Sequence, residues 1–502
     1  VSGPPAKGIG HTSARLVPLA LLARGAGFLV PAAVALWFGV GPVTDAWYWA
    51  LALPTFALVL AGSSLATTAT PALARLRSQD PTLLPGALGA LLAWAALAAL
   101  AAGALVALGA GAALPAISGF SAPTIALTRR LLWELVPAMV LVATGAGLRS
   151  ACEVHGCFRA VTLGPLIRAL TIIATTGLLL RPLGPHALPA GLAAGELVQD
   201  LAWGLALARG PGLRPRLALR LPALVRQVGR DLLPVLGGEI LVALNPVVDK
   251  AFAATLPAGA VATLEYADRA RVIPQTLLES TLVMVAFATW SALHARGDRD
   301  AARAGIGASL RWVLALGAPA LAGMFIGRRV LVGLLFERGA FTHADTLAAA
   351  AVLAWYLPGV LPTLLGILAV KAHVLERNLR LVLILGGLSA AANALLDRLL
   401  VGPLGLAGLA LSTTAVAILV PALYLGLLLR GWGRSSRKQA LQGVGAAVVL
   451  ALAAVILAAT VELSRGAPEH LADPTLWGAA GACVGLLLVG RRLARGAPPA
   501  PG

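Results

Sequence analysis

The sequence predicts an all-α integral membrane protein with about fourteen transmembrane helices, and three observations carry that prediction. Hydrophobic residues make up 59% of the 502 and charged residues only 12%, about half the charged fraction of a soluble domain. Apolar runs recur along the chain at close to the roughly 20 helical residues that cross a bilayer core. The 39 Lys and Arg, against 21 Asp and Glu, fall mostly in the short breaks between those runs. A net charge of +18 would point to nucleic acid in a soluble protein. Arginines confined to breaks are topology signals, so no nucleic-acid partner is expected.

The candidate spans follow in order. The first, 14–40, is led by the polar "VSGPPAKGIGHTSARL", and no A-x-A site follows it, so it is expected to be retained and not cleaved as a signal peptide. The second, 44–74, opens on Trp47, Tyr48 and Trp49, which read as interface anchors. Spans at 83–110, 124–149, 159–182 and 187–209 complete a first set of six. The longest polar connection, Arg209 to Arg230, separates them from 229–255, 262–293, 306–336, 344–372, 379–401 and 404–430. Two more, 438–462 and 475–492, close the chain. Several exceed the bilayer thickness, which implies tilt or extension into the headgroups. The expected organisation is an N-terminal lobe over 1–210, a cytoplasmic linker over 211–228, a second lobe over 229–433, and the last two spans with a cytoplasmic tail over 434–502. A weak internal repeat supports two lobes: the stretch from Thr44 aligns with that from Leu264, and Pro54 matches Pro274.

Orientation follows from the breaks. One set holds Arg75 and Arg77; Arg149 and Arg159; Arg209, Arg214, Arg216, Arg220 and Arg226; Arg296, Arg299 and Arg303; Lys371, Arg377 and Arg380; and Arg430, Arg434, Arg437 and Lys438. In the opposite set, "GAALPAISGFSAP" is uncharged and "VELSRGAPEHLADPT" is net acidic. Positive-inside places both termini in the cytoplasm of a multi-pass protein.

Ionisable residues within spans are costly and therefore informative. They are Arg24; Glu239, Asn245 and Asp249; Asp268, Arg269 and Glu279; and Asn393 with Asp397, one turn apart on one helical face. Structural alternatives stand beside each: Asp268 with Arg269, Asp249 with Lys250, and Asp397 with Arg398 are all plausible ion pairs. Cys152, His155 and Cys157 fall short of the four ligands a zinc site takes, and no covalent cofactor is expected. An enzymatic reading, such as a membrane glycosyltransferase, lacks the Asp-rich metal cluster that chemistry needs.

Four stretches carry a family resemblance: "GVGPVTDAWYWALALP", "LEYADRARVIPQ", "LLFERGAFTHADTLAAAAVLAWYLPGVLP" and "NALLDRLLVGPLGLAGLALSTTAVA". Spread over about residues 20 to 430, they resemble the MurJ/MviN lipid II flippases of the multidrug/oligosaccharidyl-lipid/polysaccharide exporter superfamily. The resemblance implies two six-helix lobes in a V-shape, with two C-terminal helices forming a lipid-tail groove. It implies a flippase of the bacterial cytoplasmic (inner) membrane that carries a polyprenyl-pyrophosphate-linked precursor, lipid II first, to the outer leaflet by alternating access. Membrane lipids and envelope-synthesis enzymes are its implied partners. Arg24 and Arg269 match cavity arginines and Asp45 a loop aspartate. Asp249, Asn393, Asp397, Leu409 and Thr413 match the ligands of a sodium site, Leu409 through its carbonyl.

The chain also departs from the family. Val30 stands where well-studied members carry a second arginine, no Arg-Arg pair follows Pro54, and Ser63 or Ser64 replaces a glutamate. The expected cavity is less cationic, which keeps two alternatives open: another undecaprenyl-linked glycan as cargo, or a non-transporting envelope-assembly scaffold. In "LLFERGAFTHADT", Gly339 allows a chain reversal, and Thr342 with Asp345 fits a variant capping box at the start of the next helix.

Overall fold

A computed structural model describes residues 25, 27–216, 223–279, 283–376, 378–442, 444–465, 468–469 and 472–495. Among the described residues regular structure is helical throughout, as expected for a membrane protein whose backbone must satisfy itself. Nine helical stretches are long and apolar enough to cross a bilayer. One of them, 158–209, contains two helices joined by a turn at Gly184.

By packing, the chain divides into two compact units, Val1–Val261 and Ala262–Gly502. The first unit holds α1 (Gly27–Phe38), α2 (Pro42–Gln79), α3 (Leu84–Ile117), α4 (Ala122–Glu134), α5 (Val136–Val154), α6 (Phe158–Leu183), α7 (Ala187–Arg209) and α8 (Ala223–Ala253). The expected span 124–149 is thus two helices, because Pro137 has no N–H to continue the hydrogen-bond ladder and α5 starts afresh at Val136. Leu73, Leu88, Leu148, Trp203, Leu207 and Val228 meet in its main core, which joins α2, α3, α5, α7 and α8. The helix after the polar connection packs with this unit, so the packing boundary falls at 261 and not within 211–228. The start of that connection is docked: Arg216 N–H donates to the Pro85 carbonyl at 2.9 Å.

The second unit holds most of α9 (Ala260–Leu278), then α10 (Met284–Ala295), α11 (Arg299–Ile326), α12 (Arg328–Phe336), α13 (His343–Leu375), α14 (Leu379–Leu404), α15 (Leu406–Arg430), α16 (Arg434–Leu441), α17 (Val444–Arg465) and α18 (Pro474–Arg495). Two more expected spans are divided. The span 306–336 breaks at Gly327, and the span 262–293 runs into π turns at Glu279 and Val283. Helix α11 is the central member and packs against α10, α13, α16, α17 and α18. Its face of Ala318, Ala322 and Ile326 meets Ala454, Ala458, Ala479 and Cys483 of the last two long helices, small side chains that let helices approach closely without a hydrophobic drive between them.

Polar ties fasten those helices to α11 and α12. Arg311 donates to the Gln442 carbonyl, and Ser436 donates to Asp300 at 2.8 Å. Arg328, itself buried, grips Glu462 through both terminal nitrogens at 2.6 and 2.8 Å. Arg329 reaches Glu469 at 2.7 Å.

The turn 337–342 behaves as its sequence predicts. Gly339 has φ 62°, and Thr342 and Asp345 form the reciprocal capping box of α13. Phe336 and Phe341 enclose Tyr266 of α9, with centroids at 5.0 and 5.1 Å.

Gly307 lets α16 lie on α11, since a Cβ there would stand 1.8 Å from the Ala440 carbonyl oxygen. Gly307→Val is expected to lower stability by about 2 kcal/mol or more through forced separation. Gly426→Ala, with nothing within 4 Å of the added Cβ, should cost nothing. Thermal unfolding of the purified protein distinguishes the two, and equal melting points would refute the close-packing account.

Candidate functional site

The most enclosed polar centre lies between α14 and α15. These helices turn back on one another at Gly405, which brings the 409–413 turn of α15 against Asn393 and Asp397. Both residues are buried, Asp397 completely. Asn393 donates through Nδ2 to Asp397 Oδ2 at 3.0 Å. The Ser412 hydroxyl reaches the other carboxylate oxygen and also the Leu409 carbonyl, the latter at 2.8 Å. Thr413 donates to the same carbonyl at 3.1 Å. The structure therefore gathers Asn393, Asp397, Leu409 and Thr413 into one cluster. Arg398 is exposed while Asp397 is buried, because consecutive helical residues do not share a face.

Ser412 is the member that sequence reasoning missed. Its signal was present: it lies three residues after Leu409, on the same helical face, and next to Thr413. The cluster around Asp397 joins one carboxylate to an amide side chain, a carbonyl oxygen and two hydroxyls. That is the hard-oxygen composition suited to an alkali cation, and it carries one negative charge. Asp249, the remaining residue of the expected set, is buried in the last turn of α8 beside Lys250, in the first unit. Among the described residues, no three His, Cys, Asp or Glu side chains converge as a metal cluster would require.

A second centre lies on α9. Arg269 pairs with the buried Glu265 one turn earlier, at 2.6 Å. Asp268 pairs with Arg271, at 2.6 Å, so the structural alternative of an Asp268–Arg269 pair gives way to two interleaved pairs at i,i+4 and i,i+3. Spacing explains the exchange, since adjacent residues diverge on a helix and those one turn apart converge. Arg271, which the sequence reading did not single out, also donates to Gln275 at 2.9 Å and lies over the Tyr356 ring at 5.4 Å. The aromatic clamp on Tyr266 fixes the turn that carries these arginines.

Asp45 is buried in the first turn of α2 and accepts the Gly259 N–H. It thus ties the start of that helix to the loop after α8. Gly119 N–H donates to the Ala254 carbonyl of the same loop at 2.8 Å, so this end of the first unit is stitched by three segments. Arg24 lies outside the described residues, as do the side chains of Glu239, Ser63 and Ser64. Glu279 is half-buried at the π turn that ends α9.

The first unit also contains an intramembrane polar cluster that the sequence reading passed over. Arg168 of α6 pairs with the buried Glu196 of α7. Asp200, one turn on, accepts from Thr144 of α5 at 3.0 Å. The i,i+4 spacing of Glu196 and Asp200 within an apolar span was the available signal.

Comparison with known proteins places this architecture. The family described as Lipid II flippase MurJ matches residues 34–470. A probable lipid II flippase MurJ from Bdellovibrio bacteriovorus is 28% identical over 396 residues, covering 77% of this chain and 76% of that protein. The lipid II flippase MurJ of Burkholderia cenocepacia is 26% identical over 455 residues, covering 86% of each. In fold, the chain is similar to a lipid II flippase MurJ in an inward closed conformation, with a TM-score of 0.76 at 17% identity over 95% of this chain and 98% of that one. An inward-facing multidrug transporter of the MATE family gives a TM-score of 0.65 at 14% identity, over 83% and 96% of the two chains.

Ser412→Ala leaves a buried carboxylate short of a donor and should destabilise the protein by about 1–3 kcal/mol. An unchanged melting point would show that Ser412 does not hold Asp397.

Proposed function

This chain belongs to the lipid II flippase MurJ family, a family of transporters and not of enzymes, and on that premise we propose that it carries lipid II from the cytoplasmic to the outer leaflet by alternating access. The observation that carries the proposal is the family match over residues 34–470, from within α1 through α17. The cargo joins a dense pyrophosphate anion to a tail that need never leave lipid. Arginines can replace the water around the anion, since their planar forks donate paired hydrogen bonds to phosphate oxygens. Arg24 and Arg269 are the residues assigned that role. Glu265 holds the Arg269 guanidinium in place, which reduces the ordering that substrate binding must supply.

The Asn393–Asp397 cluster is the assigned coupling site. A sodium ion bound there would neutralise Asp397, with Asn393, Leu409 and Thr413 as further ligands from the same cluster. One elementary charge moved across 100 mV is worth roughly 2.3 kcal/mol, enough to shift a two-state population severalfold. Positive-inside orientation puts both termini and the arginine-rich breaks in the cytoplasm.

A second reading, another undecaprenyl-linked glycan as cargo, is favoured by one observation: Val30 and the sequence after Pro54 lack arginines that well-studied members carry. Complementation of a strain depleted of its own lipid II flippase separates the two readings. Rescue supports lipid II, while failure together with binding of a different lipid-linked sugar supports the second.

Arg24→Ala and Arg269→Ala are each expected to abolish flipping in that assay without loss of folded protein; full activity in both would remove the pyrophosphate-cavity mechanism. Sodium, compared with potassium at equal ionic strength, should raise the melting point of the wild type and leave that of Asp397→Ala unmoved. A wild type that responds equally to both ions would end the sodium assignment.

A further inference from the structure

At the arginine-rich ends of α10, α11 and α13, the second unit encloses a cavity of about 470 Å³. His294, Arg299, Arg303 and Glu376 line it, with Ile306 and Leu375 as apolar wall. Its charges are unevenly engaged. Glu376 accepts the Trp432 indole N–H at 3.0 Å. Asp300 accepts the Ser436 hydroxyl at 2.8 Å, and Asp298 is occupied as the N-cap of α11, accepting from Ala301 N–H. Each nearby acid thus has a neutral donor on one of its oxygens.

The cations are held more loosely. Arg303 stands over the Trp432 ring at 5.6 Å, which fixes its guanidinium, yet its nearest carboxylates, Asp300 and Glu376, are both 3.8 Å away. That is beyond hydrogen-bond reach. Among the described residues, the side chains of Arg299 and His294 make no hydrogen bond or ion pair. Arg299, Arg303 and His294 thus face one cavity whose lining holds a single carboxylate, that of Glu376.

We propose that this cavity binds the phosphate group of an anionic ligand. Phosphate supplies acceptors only, and arginine forks match its oxygens in paired geometry. The site stands at the ends of membrane-crossing helices on the arginine-rich side, where basic pockets between helices meet lipid headgroups. The same chemistry would be met by an anionic phospholipid headgroup or by free phosphate. The inference is independent of the flipping cycle and uses none of the residues assigned to it.

The test is titration of the full purified chain in detergent with dioleoylphosphatidylglycerol, dioleoylphosphatidylcholine and inorganic phosphate, read as thermal midpoint. Phosphatidylglycerol is expected to raise the midpoint more than phosphatidylcholine. Arg299→Glu, an exposed change that breaks no internal bond, should weaken that response about tenfold or more, and Arg303→Gln should weaken it as well. Arg209→Glu, in the first unit, should leave it intact. A response to inorganic phosphate of equal size, lost in the same two variants, would support the site and assign it to free phosphate. The proposal is overturned if neither probe shifts the wild type, or if Arg299→Glu and Arg303→Gln respond as the wild type does.

Discussion

A charge held among lipid-facing helices has no water to neutralise it, so it must find its counterpart within the protein. Both units are arranged around that requirement. In the first, Arg168 meets Glu196 across α6 and α7, and Asp200 accepts from Thr144 on α5. In the second, α9 carries two interleaved pairs, Arg328 takes both oxygens of Glu462, and Asp397 is surrounded by hydroxyl and amide donors. The apolar surfaces are largely Ala, Leu and Gly and could slide past each other at little cost. Polar contacts with one good geometry fix which helices meet and at what register.

The turn around Gly339 acquires its meaning within this arrangement. Its two phenylalanines enclose Tyr266. Tyr266 lies next to Glu265 and within two turns of Arg269 and Arg271. A motif at one end of α12 therefore determines the rotation of α9, and with it the direction in which the α9 arginines are presented. The turn has a packing role, exerted on a neighbouring helix that carries two ion pairs.

Much of this was legible in the sequence because membrane helices announce themselves by length and apolarity alone. The capping of α13 by Thr342 and Asp345 and the proximity of Asn393 to Asp397 follow from local spacing, and the structure has both. What was not legible depended on neighbours. Breaks at Leu135 and Gly327 interrupt apolar runs that hydropathy reads as continuous. The pairing of Asp268 with Arg271 follows one-turn spacing, where the adjacent Arg269 was the alternative open from sequence. Ser412, Arg271 and the Arg168–Glu196 pair escaped notice because their significance comes from a facing helix. Ser412 touches Asp397 only because Gly405 reverses the chain between them. The assignment of cargo and coupling ion came from family likeness, since no local pattern of residues names a glycan.

The attachment of the last two long helices has a mechanical consequence. Arg311 and Ser436 secure one end of the α16–α17 segment to α11, and Arg328 and Arg329 secure the other end near α12. A helix pinned at both ends cannot pivot like a door; it must translate and rotate with the body it is bolted to. A lipid chain resting along α17 and α18 would then move with the second unit as part of one body. Cutting the moorings at one end alone would turn a rigid fin into a hinged flap.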